Sequence, residues 1–246
     1  MKKTFTLRDD GPAAVEKALA DPALRSLTLD FQGALDPEIY RSMVMWLARL
    51  PWTDLEELVA VSASFEHVAR RMELSASGPR NHGDETVVAV LGDYVALGLG
   101  TAGLPSTLRT FAIRSGGLTA AGVTQLVPAL PSALTTLSFR QNRLEAGAVD
   151  ALLAKLPKSV VDLDLGANPI GDAGAASLAA HARSNALTQL QLDGAAIGDS
   201  GAHAIARSPA LEKLSRLDLS GNPIGDLAAK ALTDRFGSRV SLERRA

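Results

Sequence analysis

Four segments of this chain can be laid over one another residue for residue: LTTLSFRQNRL from Leu134, VVDLDLGANPI from Val160, LTQLQLDGAAI from Leu187 and LSRLDLSGNPI from Leu214. A fifth, LRTFAIRSGGL from Leu108, follows the same pattern. The central apolar residues, Phe111, Leu137, Leu163, Leu190 and Leu217, recur at intervals of 26, 26, 27 and 27 residues. A period of that length constrains the chain more than any composition does. One unit of this size cannot bury its own apolar face, so neighbours must stack and share a continuous core.

Within each unit the apolar residues first alternate, which is strand spacing. They then step by three or four in IGDAGAASLAA from Ile170, IGDSGAHAIAR from Ile197 and IGDLAAKALTD from Ile224, which is helical spacing. A strand, a corner and a helix therefore make one unit. Asp172, Asp199 and Asp226 stand where a helix N-cap is expected, and their recurrence reads as structural rather than catalytic. Asn142, Asn168 and Asn222 fall at the corner, where a side-chain amide can satisfy backbone groups of adjacent turns. Gly116 and Ala195 depart from that pattern, so weaker corner hydrogen bonding is expected at those two units.

The period, together with N-P-I-G-D-x-G-A-x-x-L-A, resembles the leucine-rich repeats of the ribonuclease-inhibitor-like class, which also includes the repeats of Ran GTPase-activating proteins and of NLR receptors. The resemblance is specific from about Leu108 to Leu232. It implies an α/β fold, a right-handed horseshoe solenoid with about ten parallel strands on its concave face and helices on its convex face. Residues 1–246 read as a single domain: degenerate N-terminal repeats over 1–107, regular repeats over 108–232 and a C-terminal cap over 233–246 that includes a closing strand in RVSLERRA. In the N-terminal part, Phe5 and Leu7 mark a first strand, with PAAVEKALA as its helix. Leu27 and Leu29 mark a second strand, followed by an amphipathic helix from Ile39 to Leu50. Leu55 and Leu58 suggest a third strand and Phe65 to Leu74 another helix. The breaker-rich segment from Ser75 to Thr86 reads as a loop inserted into the solenoid.

Gly98, Gly100 and Gly103 in YVALGLGTAGLP spell G-x-G-x-x-G. A dinucleotide-binding turn also needs a helix opening directly after it and an acidic residue about 20 positions on. Pro105 and the strand beginning at Leu108 replace both. The register with VVDLDLGANPI instead makes Leu97 and Leu99 the strand of a worn repeat, with the glycines at strand and corner positions. Phe111 follows Leu97 by only 14 residues, which would leave room for a turn but no full helix.

Several function classes are disfavoured. Zero cysteines remove disulfides, thiolate metal sites and cysteine nucleophiles. The net charge of -2 offers no global field for nucleic acid or anionic lipid. No apolar run is long enough to span a bilayer, and no signal peptide is read at the start, so a cytoplasmic protein is the default expectation. His67, His82, His181 and His203 have no metal-binding spacing, and no nucleophile signature is present. No cofactor, metal or catalytic residue is expected.

Strand alternation sends the leucines inward and the intervening residues onto the concave face. The candidate partner-binding residues there are Arg114, Arg140, Asp162, Asp164, Gln191, Asp193, Arg216 and Asp218. Arg114 and Arg140 fall in one column of adjacent strands, roughly 5 Å apart. Either both guanidiniums fan into water or reach Glu145, or they form a centre for a partner's carboxylates or phosphate. Arg80 and His82 are the candidates in the inserted loop. The N-terminal third also holds six of the ten aromatic residues, Phe5, Phe31, Tyr40, Trp46, Trp52 and Phe65, either as cap and core or as an interface. The expected function is a non-catalytic, monomeric protein-interaction scaffold. The alternatives are a GTPase-activating-type regulator of a small GTPase, by analogy through Arg80, and a bacterial effector or inhibitor that blocks its target.

Overall fold

The computed structural model describes residues 1–6, 10–31, 44–51, 54–61, 83–181 and 186–243, with the backbone alone over 83–91. Tyr40, Trp52, Phe65, Arg80, His82 and the expected helix from Phe65 to Leu74 lie outside these residues. The described strands form one nine-stranded sheet in strict sequence order, and every neighbouring pair is parallel. They are β1 (Lys2–Thr6), β2 (Ser26–Asp30), β3 (Glu57–Val61), β4 (Thr110–Arg114), β5 (Thr136–Ser138), β6 (Asp162–Asp164), β7 (Gln189–Gln191), β8 (Arg216–Asp218) and β9 (Val240–Ser241). The helices are α1 (Gly11–Leu19), α2 (Gly83–Ala102), α3 (Ala120–Leu126), α4 (Ala146–Lys155), α5 (Gly171–Ala180), α6 (Asp199–Arg207) and α7 (Asp226–Phe236). This is a leucine-rich-repeat α/β solenoid.

The core follows from the repeat. Leu27, Leu58, Phe111, Leu137, Leu163, Leu190 and Leu217 occupy one register row across β2 to β8, and each is fully buried. Burying a leucine contributes roughly 1.5–3 kcal/mol, so the row is a continuous apolar spine that couples each unit to its neighbours. Phe111 and Phe139 add an edge-to-face ring pair at 6.5 Å.

The corners behave as the asparagines suggest. Asn142 Oδ1 accepts from the Gly116 and Leu118 N–H groups of the preceding unit, while its Nδ2 donates to the Ile113 and Phe139 carbonyls. Asn168 and Asn222 repeat this on Asn142 and Leu144, and on Ala195 and Ile197. The residue before each corner position is left-handed in all five units: Ser115, Gln141, Ala167, Gly194 and Gly221, with φ between 54° and 67°. In the two units without asparagine the next residue along turns left-handed as well, Gly117 at 70° and Ala196 at 58°. Where asparagine is present that place holds Arg143, Pro169 or Pro223, and proline cannot adopt positive φ. With Ala195 in place of asparagine, the Ile170 N–H turns back onto the Asn168 carbonyl.

Two expectations are corrected. The helix aspartates do not cap their own helices, whose N-cap positions are Ile170, Gly198 and Gly225 with no side-chain cap. Asp172 and Asp199 reach across to the next unit instead. Asp172 Oδ1 accepts from the Gly198 and Gly201 N–H groups, and Asp199 Oδ1 from Gly225. Asp93 does the same for Thr119 and Gly122. Close approach makes this possible, since a Cβ on Gly201 would lie 2.7 Å from Asp172 Oδ1.

The second correction concerns YVALGLGTAGLP, which is helix and not a worn strand. Its residues Tyr94 to Ala102 form the C-terminal half of α2, the helix belonging to β3, and the expected inserted loop gives way to this helix from Gly83 onward. The nine described strands accordingly include none at Leu97–Leu99. Among its described residues Gly92, Val95, Ala96 and Leu99 are buried at helical spacing, and Gly98 is buried beside them. Gly98 and Gly100, two residues apart, fall on opposite sides of the helix. A Cβ on Gly98 would lie 3.0 Å from Leu47 Cβ, and one on Gly100 would lie 2.7 Å from the Gln125 carbonyl oxygen. Gly103 follows the helix with φ at 75°, the left-handed residue that commonly terminates one. The glycines therefore serve close packing on both flanks and a helix stop.

Candidate partner-binding face

Opposite the helices, alternate strand residues form three columns. The first runs Thr110, Thr136, Asp162, Gln189, Arg216, and the second runs Ala112, Ser138, Asp164, Gln191, Asp218. The third lies one step further along, with Arg114, Arg140, Gly166, Asp193 and Ser220.

The two arginines of the third column are in different states. Arg140 is clamped from two nitrogens, Nη1 to Asp193 Oδ1 at 2.7 Å and Nη2 to Asp193 Oδ2 at 2.5 Å, with Asp164 Oδ1 a further 3.4 Å from Nη1. The bridge steps over β6 and is possible because residue 166 is glycine. A Cβ there would stand 2.3 Å from Arg140 Nη1 and 2.5 Å from Asp193 Oδ1. The hydrogen bonds that Arg140 donates to Asp193 raise the Arg140 pKa above its already high ordinary value, against the opposing effect of burial. Neither sequence expectation, water or Glu145, describes its place. Asp193 is 6% exposed.

Arg114 is exposed, and its Nε donates to Ser138 Oγ at 3.2 Å. Ser138 Oγ in turn donates to Asp164 Oδ2 at 2.9 Å. Asp164 also accepts the Gly166 N–H at 3.1 Å. Five residues from Arg114 to Asp193 are thus one polar chain. Asp218 is occupied locally by the Ser220 N–H and hydroxyl. Arg216 is exposed and Asp162 half-buried. The Gln191 Oε1 atom is buried with no hydrogen-bond partner among the described residues.

The structure thus brings Arg140, Asp164 and Asp193 together and links Arg114 to them through Ser138. Arg216 stands apart from that chain. Ser138 and Gly166 are not among the residues expected to bind a partner; the short side chain next to Arg114 and the missing one beneath Arg140 are the signals the sequence offers for them. Trp46 packs partly buried against the core and donates from Nε1 to Glu16 at 2.8 Å. On the helix side, a shallow cavity of about 380 Å³ lies between α2 and α3, lined by Asp93, Tyr94, Leu97 and Gly122 among others. Among the described residues no group of three or more His, Asp or Glu side chains is arranged to hold a metal ion. No described helix is long and apolar enough to cross a membrane.

Residues 157–179, 183–206 and 210–232 match the family model described as Leucine Rich repeat. No curated protein matches this sequence. Among solved structures, the chain is similar to one from the yeast Rad7 and Elc1 complex, at 16% identity, covering 96% of this chain and 69% of that one with a TM-score of 0.47. It is also similar to an internalin (inlF) from Listeria monocytogenes, at 16% identity over 92% of this chain and 55% of that one, TM-score 0.45. A third is the leucine-rich repeat-containing protein LegL7 from Legionella pneumophila, at 17% identity over 88% of this chain and 72% of that one, TM-score 0.45.

Proposed function

We propose that this leucine-rich-repeat chain is a non-catalytic recognition module that takes a partner protein on its open strand face between β4 and β8. One observation carries the reading. The face opposite the helices holds exposed and half-buried charges of both signs, fixed by the polar chain from Arg114 to Asp193. Ordered, charged and accessible side chains lose little freedom when a partner docks, which favours recognition. Leucine-rich repeats are commonly protein-interaction modules, and this fold-level analogy supports the same reading.

The period and the full helices α4 to α7 favour the ribonuclease-inhibitor-like class for the repeats. The GTPase-activator alternative rests on Arg80, outside the described residues, and the inhibitor alternative is a special case of the same docking. The test is site-specific photo-crosslinking from cells. A crosslinker at Thr110 or Gln189 should trap a defined protein that one at the exposed Asp150 of α4 does not. Adducts confined to Asp150 would move the interface to the helix side.

A further inference from the structure

We infer that Arg114 is the carboxylate receptor of this face, aimed by the side-chain relay that begins at Asp193, and that its occupant is an Asp or Glu side chain of the partner protein. The inference rests on the strand face being the recognition surface. Arg114 and Arg140 share a column, but the structure divides their work. Arg140 commits Nη1 and Nη2 to Asp193, with Asp164 at the edge of the same guanidinium. Arg114 makes its one hydrogen bond among the described residues from Nε, so both terminal nitrogens remain available to a ligand. That edge of a guanidinium matches the two oxygens of a carboxylate.

The relay fixes where this edge sits. Asp164 is held by Arg140 and the Gly166 N–H, it draws the Ser138 proton toward itself, and the Ser138 oxygen then accepts Arg114 Nε–H. An arginine anchored in this way gives up less rotamer freedom on binding than a solvated one. Arg216 has no such anchor among the described residues, so the assignment falls on Arg114.

The surroundings select the ligand. Asp30 lies in the same register row two strands away, with Val61 between, and Asp162, Asp164 and Asp218 lie on the other side. A single negative charge is tolerated in that field, whereas a phosphate dianion meets more repulsion than one guanidinium offsets. Toward β3 the same face presents Val59 and Val61, half-buried, beside the buried Ala112. The preferred partner segment therefore carries an acidic residue beside an aliphatic one.

The probe is a random peptide library displayed on phage and selected on the full chain, followed by fluorescence-polarisation titration of the winning peptides made synthetically. Winners should carry Asp or Glu next to an aliphatic residue, and changing that acid to its amide should weaken binding about ten- to thirtyfold. Arg114→Gln should abolish this acid-over-amide preference, and Ser138→Ala should shrink it while leaving weaker binding in place. Phosphoserine at the acidic position should bind less well than Glu. A selection without an acidic position, a preference that survives Arg114→Gln, or tighter binding of phosphoserine would each overturn the assignment. Thr136→Trp, which fills the middle of the face, separates the two levels. If it blocks binding while Arg114→Gln changes nothing, only the carboxylate receptor fails; if peptides bind it as they bind the parent chain, the strand-face reading fails with it.

Discussion

Gly166 and Ala167 are neighbours with opposite demands on a side chain. Residue 166 has no space, because a Cβ would stand 2.3 Å from Arg140 Nη1 and 2.5 Å from Asp193 Oδ1. Residue 167 has a strained backbone instead, with φ at 54° in an alanine. Substitutions at the two sites should therefore move stability in opposite directions. Gly166→Ala should lower it by about 1–3 kcal/mol, because it forces apart a charge-assisted pair whose Asp193 side is nearly buried. Ala167→Gly should raise it by about 0.5 kcal/mol, as relief of the left-handed conformation slightly outweighs the added freedom of the unfolded chain. Urea unfolding of the two variants checks both signs. Equal effects would mean that neither the bridge nor the strain matters.

The helices show how much the sequence made legible and where it stopped. The 26 to 27 residue spacing makes the strands from β4 to β8 legible without knowing any contact, and the recurring I-G-D segment does the same for the helices α5, α6 and α7. The α2 segment differs from its expected strand for a physical reason. Its Leu97 and Leu99 alternate like a strand, and only the packing of Gly92 onto the Gly116 carbonyl and Leu118 amide, and of Gly100 onto Gln125, reveals a helix pressed against α3. The aspartates were recognised as capping residues, but a sequence does not say which helix a side chain reaches. At the site, the columns of exposed residues were legible from alternation, whereas the Arg140 to Asp193 bridge skips a strand and depends on a missing Cβ. Capping across units has a distinctive consequence. Asp172→Ala should cost about 1 kcal/mol, a typical loss for a helix cap. Its effect should appear in α6 and not in α5, as faster amide hydrogen exchange at Gly198 and Gly201. Faster exchange at the start of α5 instead would restore the within-unit cap.

Across the whole molecule, every unit boundary from β3 to β8 carries at least one polar clamp, an aspartate on the helix side, an asparagine at the corner, or both. Asp93 joins the β3 unit to the β4 unit, Asn142 joins β4 to β5, and Asn168 joins β5 to β6. Asn222 and Asp199 both join β7 to β8. The boundary between β6 and β7 lacks its asparagine because residue 195 is alanine. That same boundary is crossed by Asp172 on the helix side and by the Arg140 to Asp193 bridge on the strand face. In a solenoid, stability is a sum of unit terms and nearest-neighbour terms, so cooperativity is lost first where the neighbour term is weakest. Removing one clamp at this boundary should leave a single unfolding transition, since the other clamp and the Leu163 to Leu190 apolar contact still couple the blocks. Removing both in Asp172→Ala/Asp193→Ala should uncouple the units from β7 to β9 from those before. Hydrogen exchange in rising urea should then show residues 189–241 opening as a block at lower denaturant than residues 110–164. Ala195→Asn with Ala196→Pro, which restores the corner of the neighbouring units, should draw the two openings back together; if it does not, the asparagine ladder is not what couples the units.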